Sequence, residues 1–234
     1  MNEWRQLPLA LSHAPSLADE DFLVAACNAD AVRWLDRWPD WPSPVLVLFG
    51  PPGCGKTHLL HSFLARSTGM LIAPEVLASD LAIDVAGRAP TCALDDADRV
   101  IVDGFETPLL HLYNGVCEAG RQMLLTAETP PSRWATRLPD LRSRLNAVVS
   151  VGIGEPDDET IAGVLVKLFA DRRLKVDDDV ILYALPRIER SFDAARRLVA
   201  DLDAAALGAR RRITVALLRE LLRTRAPFDQ IEPV

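Results

Sequence analysis

The sequence predicts an α/β protein, a parallel β-sheet flanked by helices, followed by a small all-α region. Three observations carry this. Short apolar runs such as Val45–Phe49 alternate with segments of helical periodicity, the pattern of a sheet buried on both faces. A glycine-rich turn joins that run to a helix. From Pro156 onward only helical periodicity remains.

The elements follow in order. Residues 1–20, with Pro8 and Pro15, read as an extended tail. Asn28 stands where it would cap a helix running to Trp38. The proline cluster Pro39, Pro42 and Pro44 ends that helix. Val45–Phe49 is the first strand, and a helix runs from Lys56 to about Arg66. Met70–Ala73, Thr91–Leu94, Gln122–Ala127 and Ala147–Val151 read as further strands, with Phe105–Ala119 helical. In the last third, Asp157, Asp177, Ser191 and Thr214 stand as N-caps before helices reaching Arg172, Leu185, Leu207 and Arg223. The expected organisation is a tail at 1–20, an α/β domain at 21–154, a helical domain at 155–225 and a second tail at 226–234.

Composition narrows the class. The chain has 234 residues, room for one to two domains at about 150 residues each. It is 49% hydrophobic and 25% charged, which supplies a core and argues against wholesale disorder. No stretch approaches the ~18 uncharged apolar residues of a membrane span. Met1 to Pro15 does not read as a secretory signal peptide, because Glu3 and Pro8 interrupt it. The cysteines Cys27, Cys54, Cys92 and Cys117 are scattered, without CxxC spacing. That argues against a disulfide framework or zinc site, and for a reducing cytoplasm. A net charge of −7 is wrong for a nucleic-acid-binding polycation. Within 187–225, ten arginines face five acids, a bias that solvated helix faces account for.

The strongest motif is Gly50-Pro51-Pro52-Gly53-Cys54-Gly55-Lys56-Thr57, which matches G-x-x-x-x-G-K-[ST]. Glycines let the loop wrap so that successive N–H groups point at phosphate oxygens, and the following helix adds its positive end. Lys56 would reach the β- and γ-phosphates, and Thr57 would give an oxygen to Mg²⁺. Lys56 is also the only lysine in the first 166 residues. A second site is expected on a neighbouring strand, at Leu94-Asp95-Asp96. Asp95 would hold Mg²⁺, directly or through water, and Asp96 would orient the attacking water, with Asp98 a weaker substitute.

These residues resemble the AAA+ class of P-loop NTPases and, more narrowly, the DnaA-related replication proteins; the resemblance spans about residues 3 to 223. Phe22, Val24 and Asn28 resemble the family segment that helps enclose adenine, and His58 follows the phosphate loop as in DnaA. Glu106 with His111-Leu112-Tyr113-Asn114 resembles the helix after the acidic strand, and Leu124-Leu125-Thr126-Ala127 the sensor 1 strand, with Thr126 its polar residue. Ser143-Arg144-Leu145 resembles the motif that carries the arginine finger, so Arg144 would reach a nucleotide on a neighbouring subunit. Gln6-Leu7-Pro8-Leu9-Ala10-Leu11 resembles a sliding-clamp-binding hexapeptide, with Gln6, Leu7, Leu9 and Leu11 as contacts. One departure stands out. The family's sensor 2 arginine aligns with Asp193, with Arg190, Arg196 or Arg197 as nearby replacements.

The resemblance implies a regulator of replication initiation. It would bind ADP or ATP with Mg²⁺, dock on the DNA-loaded clamp, and promote hydrolysis of ATP bound to the DnaA initiator. Its own ATPase would be weak or absent, and homo-oligomers are compatible with the family. A helix-turn-helix reader is not expected, and so neither is sequence-specific DNA binding. The alternatives are a nucleotide-switched adaptor similar to helicase loaders, and an independent ATPase.

Overall fold

The computed structural model describes residues 23–77, 84, 87–209 and 211–225. The hexapeptide residues Gln6, Leu7, Leu9 and Leu11, together with Phe22 and both expected tails, lie outside the described residues.

Five strands form one parallel sheet: β1 (Val45–Phe49), β2 (Met70–Leu71), β3 (Thr91–Leu94), β4 (Gln122–Ala127) and β5 (Val149–Gly152). Their order across the sheet is β2-β3-β4-β1-β5. The helices between them are α1 (Ala29–Asp36), α2 (Lys56–Ser67), α3 (Pro74–Leu77), α4 (Ala97–Val102), α5 (Glu106–Glu118) and α6 (Pro139–Ala147). Four more follow: α7 (Asp158–Asp171), α8 (Asp178–Ala184), α9 (Phe192–Ala209) and α10 (Val215–Arg225).

Alternation along the strands builds two cores. Leu46, Leu48, Ala93, Leu124 and Val151 face α1 and α2, packing with Leu35, Leu59 and Phe63. Val45, Val47, Leu94, Met123 and Leu125 face the other way, onto Leu109, Leu112, Leu141 and Leu145. Register keeps the alternation in phase: Val47 pairs with Leu125, and Leu94 with Leu125 from the other side. A third core lies in the C-terminal helices, around Leu165, Phe169, Leu198, Leu202 and Leu218.

Several boundaries differ from the expectations. β2 is two residues rather than Met70–Ala73, because an edge strand has one neighbour to pair with, here Cys92 and Ala93 of β3. β5 starts at Val149 rather than Ala147, because α6 runs through Ala147. Asn28 stands at the N-cap position of α1 but its side chain makes no capping bond. The buried amide instead turns back, accepting from the Ala25 N–H and donating to the Leu23 carbonyl, and so folds the segment before α1. Three of the four C-terminal caps match the sequence reading more closely, while Asp177 stands at the N-cap position of α8 without a side-chain bond. The Asp157 carboxylate accepts from Thr160 N–H, Ser191 Oγ from Ala194 N–H, and Thr214 Oγ1 from Leu217 N–H.

Candidate nucleotide site at the strand ends

Parallel strands point their carboxyl ends one way, so the loops after β1, β3 and β4 meet on one edge of the sheet. Gly50 to Gly55 leave β1 and enter α2 at Lys56. Gly53 and Gly55 have φ of +73° and +97°, a left-handed backbone that a side chain would strain. The Lys56 side chain is buried, and its Nζ donates to the carbonyls of Gly50 at 2.8 Å and Pro51 at 3.0 Å. A charge held this way is fixed against the loop rather than free on a flexible stem.

The three strand ends are tied by one hydrogen-bond chain. Thr57 Oγ1, from α2, donates to Asp95 Oδ2 at 2.8 Å. Thr126, at the end of β4, donates its hydroxyl to the other oxygen, Asp95 Oδ1. The same Thr126 oxygen accepts from the Asp96 N–H at 3.0 Å. A separate bond lies alongside, in which the Asp98 carboxylate accepts from the Glu128 N–H at 2.9 Å. Asp96 itself sits in the left-handed region at φ +52°. Burial, and after it the Asp95 charge, push its carboxyl above the usual carboxylate range, while Lys56 opposes the shift. Thr57, Asp95, Asp96 and Thr126 were each singled out in the sequence on separate grounds, and the fold brings them together with Lys56. The hydroxyl–carboxylate chain joining them has no sequence signature, because it links positions up to 38 residues apart.

The start of α9 completes the edge. Phe192 N–H donates to the Gly53 carbonyl at 2.9 Å. A Cβ on Gly53 would lie 2.7 Å from Ser191 Cβ and 3.7 Å from Asp193 Cβ, and one on Gly55 would lie 3.3 Å from the Phe192 ring. The glycines therefore serve the approach of α9 as well as the turn. Ser191 and Phe192 were not named as loop neighbours; the sequence signals were Ser191 as a cap and the alignment of Asp193 with the sensor 2 position.

The remaining expected residues are distributed around this edge. A cavity beside Gly55 is lined by Leu23, His58, Val164, Phe192 and Arg196. Val24 packs against the core under α1. Cys54 is buried, and burial pushes its thiol up. Pro51, Pro52 and Arg190 line a second hollow on the other side of the loop. Arg190 forms a two-pronged pair with Asp158, at 2.7 and 3.1 Å. Arg197 reaches Glu189 at 3.9 Å.

Arg144 lies apart from this edge, on α6. Its Nε donates to Asp140 Oδ1, one turn earlier, at 3.1 Å, and its guanidinium carbon lies 5.7 Å from the Tyr113 ring centre. The side chain is 40% exposed, so it is held against Tyr113 and Asp140 while part of it stays accessible. Arg142, two residues earlier, instead donates to the Thr136 carbonyl and ties down the loop before the helix.

The parallel sheet with its glycine loop at the start of α2, the acidic end of β3 beside it and the helical region packed on the loop form a fold shared with the replication initiator DnaA. Domain III of the Thermotoga maritima initiator DnaA superposes with a TM-score of 0.75 at 19% identity, over 90% of this chain and 97% of that one. AMPPCP-bound DnaA from Aquifex aeolicus gives 0.72 at 17% identity, over 90% and 69%. In sequence, DnaA of Cutibacterium acnes is 25% identical over 94% of this chain and 48% of its own length, so the chain spans about half of that initiator. An uncharacterized protein of Haemophilus influenzae is 27% identical over 93% of this chain and 98% of its own. The Hda lid-domain family matches residues 157–222. The chain is thus similar in sequence and in fold to the DnaA initiators, and its residues 157–222 are similar to the Hda lid domain. Among the described residues, no helix is long and apolar enough to cross a membrane.

Proposed function

We propose that the protein is a nucleotide-binding regulator of replication initiation that acts on DnaA in trans, with residues 21–154 as the nucleotide domain and 155–225 as its lid. The observation that carries this reading is a partly exposed Arg144 on α6, in a chain whose C-terminal helices match the Hda lid. An always-charged, planar guanidinium offered to solvent suits a phosphoryl group on another molecule.

The chain's own site fits ADP or ATP. Backbone N–H groups of residues 53–57 and the fixed Lys56 charge would hold the phosphates, with the Leu23, His58 and Arg196 cavity alongside for the rest of the nucleotide. Thr57 and Asp95 would hold Mg²⁺, which supplies charge neutralisation between phosphates when bound. Thr126 orients Asp95, and Asp96 stands at the edge of the same cluster. Asp193 near Gly53 places an acid where the family carries a cation, which supports weak turnover of the chain's own nucleotide. Gln6, Leu7, Leu9 and Leu11 would dock on the sliding clamp and raise the local concentration of Arg144 near DNA-bound DnaA.

The test is ATP hydrolysis by purified DnaA with DNA-loaded clamp and this protein. Stimulation that needs Arg144 and the Gln6/Leu7 pair supports the reading. Folded, nucleotide-loaded protein without any stimulation would sink it and favour a loader-like adaptor or an independent ATPase.

A further inference from the structure

Arg144 depends on a neighbour that the phosphate site does not use. Glu106 opens α5 and sends its carboxylate across to the chain just before α6. Its Oε1 accepts from Arg137 N–H at 2.8 Å and its Oε2 from Leu138 N–H at 3.1 Å. Leu138 is the N-cap residue of α6, and its side chain makes no capping bond. A carboxylate from another helix thus pins the two amides that lead into α6, just outside its first turn, and it places negative charge at the positive end of that helix.

The same helix touches α6 a second time. Tyr113, seven residues after Glu106, lies under the Arg144 guanidinium. Leu138 to Arg144 is six residues. At ~1.5 Å per residue both spans are about 10 Å, so α5 and α6 keep step between the two contacts. Glu106 fixes where α6 begins, and Tyr113 supports the side chain that α6 displays. Leu141 and Leu145 anchor the body of α6 in the core, so the freedom left is that of the arginine side chain, and small displacements of a charge aimed at a transition state are costly.

We infer that α5 is a two-point cradle for the arginine finger, with Glu106 and Tyr113 as positioning residues that set the angle at which Arg144 is offered to a phosphoryl group on the partner. This rests on the reading of Arg144 proposed above. Neither residue touches the partner's nucleotide. Their loss should therefore lower the rate of the stimulated step while leaving docking, which the tail provides, unchanged.

The experiment titrates the full-length protein into DnaA, ATP and DNA-loaded clamp, and fits a maximal stimulated rate and a half-saturating concentration. Glu106→Gln and Tyr113→Leu should lower the maximal rate about 10-fold with the half-saturating concentration within twofold of wild type. Tyr113→Phe keeps the ring and should retain the rate. A readout independent of DnaA is amide hydrogen exchange: Glu106→Gln should speed exchange at Arg137 and Leu138 specifically. Wild-type maximal rates for both Glu106→Gln and Tyr113→Leu, with Arg144→Ala inactive, would overturn the cradle and leave the finger standing. A purely structural role would appear as a lower Tm with an unchanged maximal rate per folded molecule, and that also overturns it. Full stimulation by Arg144→Ala would remove the finger reading, and the cradle with it.

Discussion

The strand-end site and the α6 face treat their cations in opposite ways. Lys56 is buried and its ammonium is already bonded to two loop carbonyls. Arg144 is 40% exposed, with one carboxylate neighbour and a ring beneath it. The first arrangement is closed around a ligand that the chain itself would hold. The second is open, and its natural complement is a group on another molecule. The difference teaches that the surroundings of a cation decide its freedom: one is locked into its own loop, and the other keeps part of its surface accessible, as the proposed role in trans requires.

The comparison sharpens most at α6, where Arg142 and Arg144 are two residues apart. Arg144→Ala should cut trans-stimulation of DnaA ATP hydrolysis by about 10³-fold and leave Tm nearly unchanged, read by phosphate release and calorimetry. Lys56→Ala should weaken nucleotide binding by about 100-fold, measured by equilibrium titration with ADP and ATP. Retained affinity would show that the closed loop is a structural turn. Arg142→Ala should do the reverse of Arg144→Ala, lowering stability by about 1 kcal/mol through the lost bond to Thr136 while the trans effect persists.

The smallest effect is a pH dependence at Asp96. Its carboxyl is held above the ordinary range, so ionising it costs more in the folded chain than in the unfolded one. The cost is absent below the ordinary carboxylate pKa of about 4 and present at neutral pH. Asp96→Asn should therefore raise the Tm at pH 7, and the gap should close as pH falls through about 4. The side chain is 45% exposed, so the gain stays under about 1 kcal/mol. Asparagine also tolerates the left-handed backbone at this position, which keeps the comparison clean. A gap that widens toward acid would reverse the assignment of cause.

Much of this was legible in the residues. The glycine loop is local: glycines at fixed offsets, then Lys56 and Thr57, between an apolar run and a helix. Gln122–Ala127 is a strand end to end as read, because six contiguous residues carry the pattern of a central strand. The Asp157 and Ser191 caps are equally local. Other features were not legible for a shared reason. The short helices α3 and α4 have too few residues for periodicity to register. Asn28 reads as a cap because the residue type favours it, yet tertiary burial turned its amide back toward Leu23. Arg142 and Arg144 look alike in sequence and separate only in three dimensions.

The sequence by itself determined the parallel sheet, the glycine loop at its edge, the helical region beyond Pro156 and the short set of acids and hydroxyls near the loop. These follow from periodicity and from chemistry that acts over a few residues. The tertiary structure decided the Thr57–Asp95–Thr126 chain, the seat of Ser191 and Phe192 against the glycines, and the hold of Glu106 on the start of α6. Each of these joins positions tens of residues apart. Such pairings are fixed by how strands and helices pack, which no local pattern encodes.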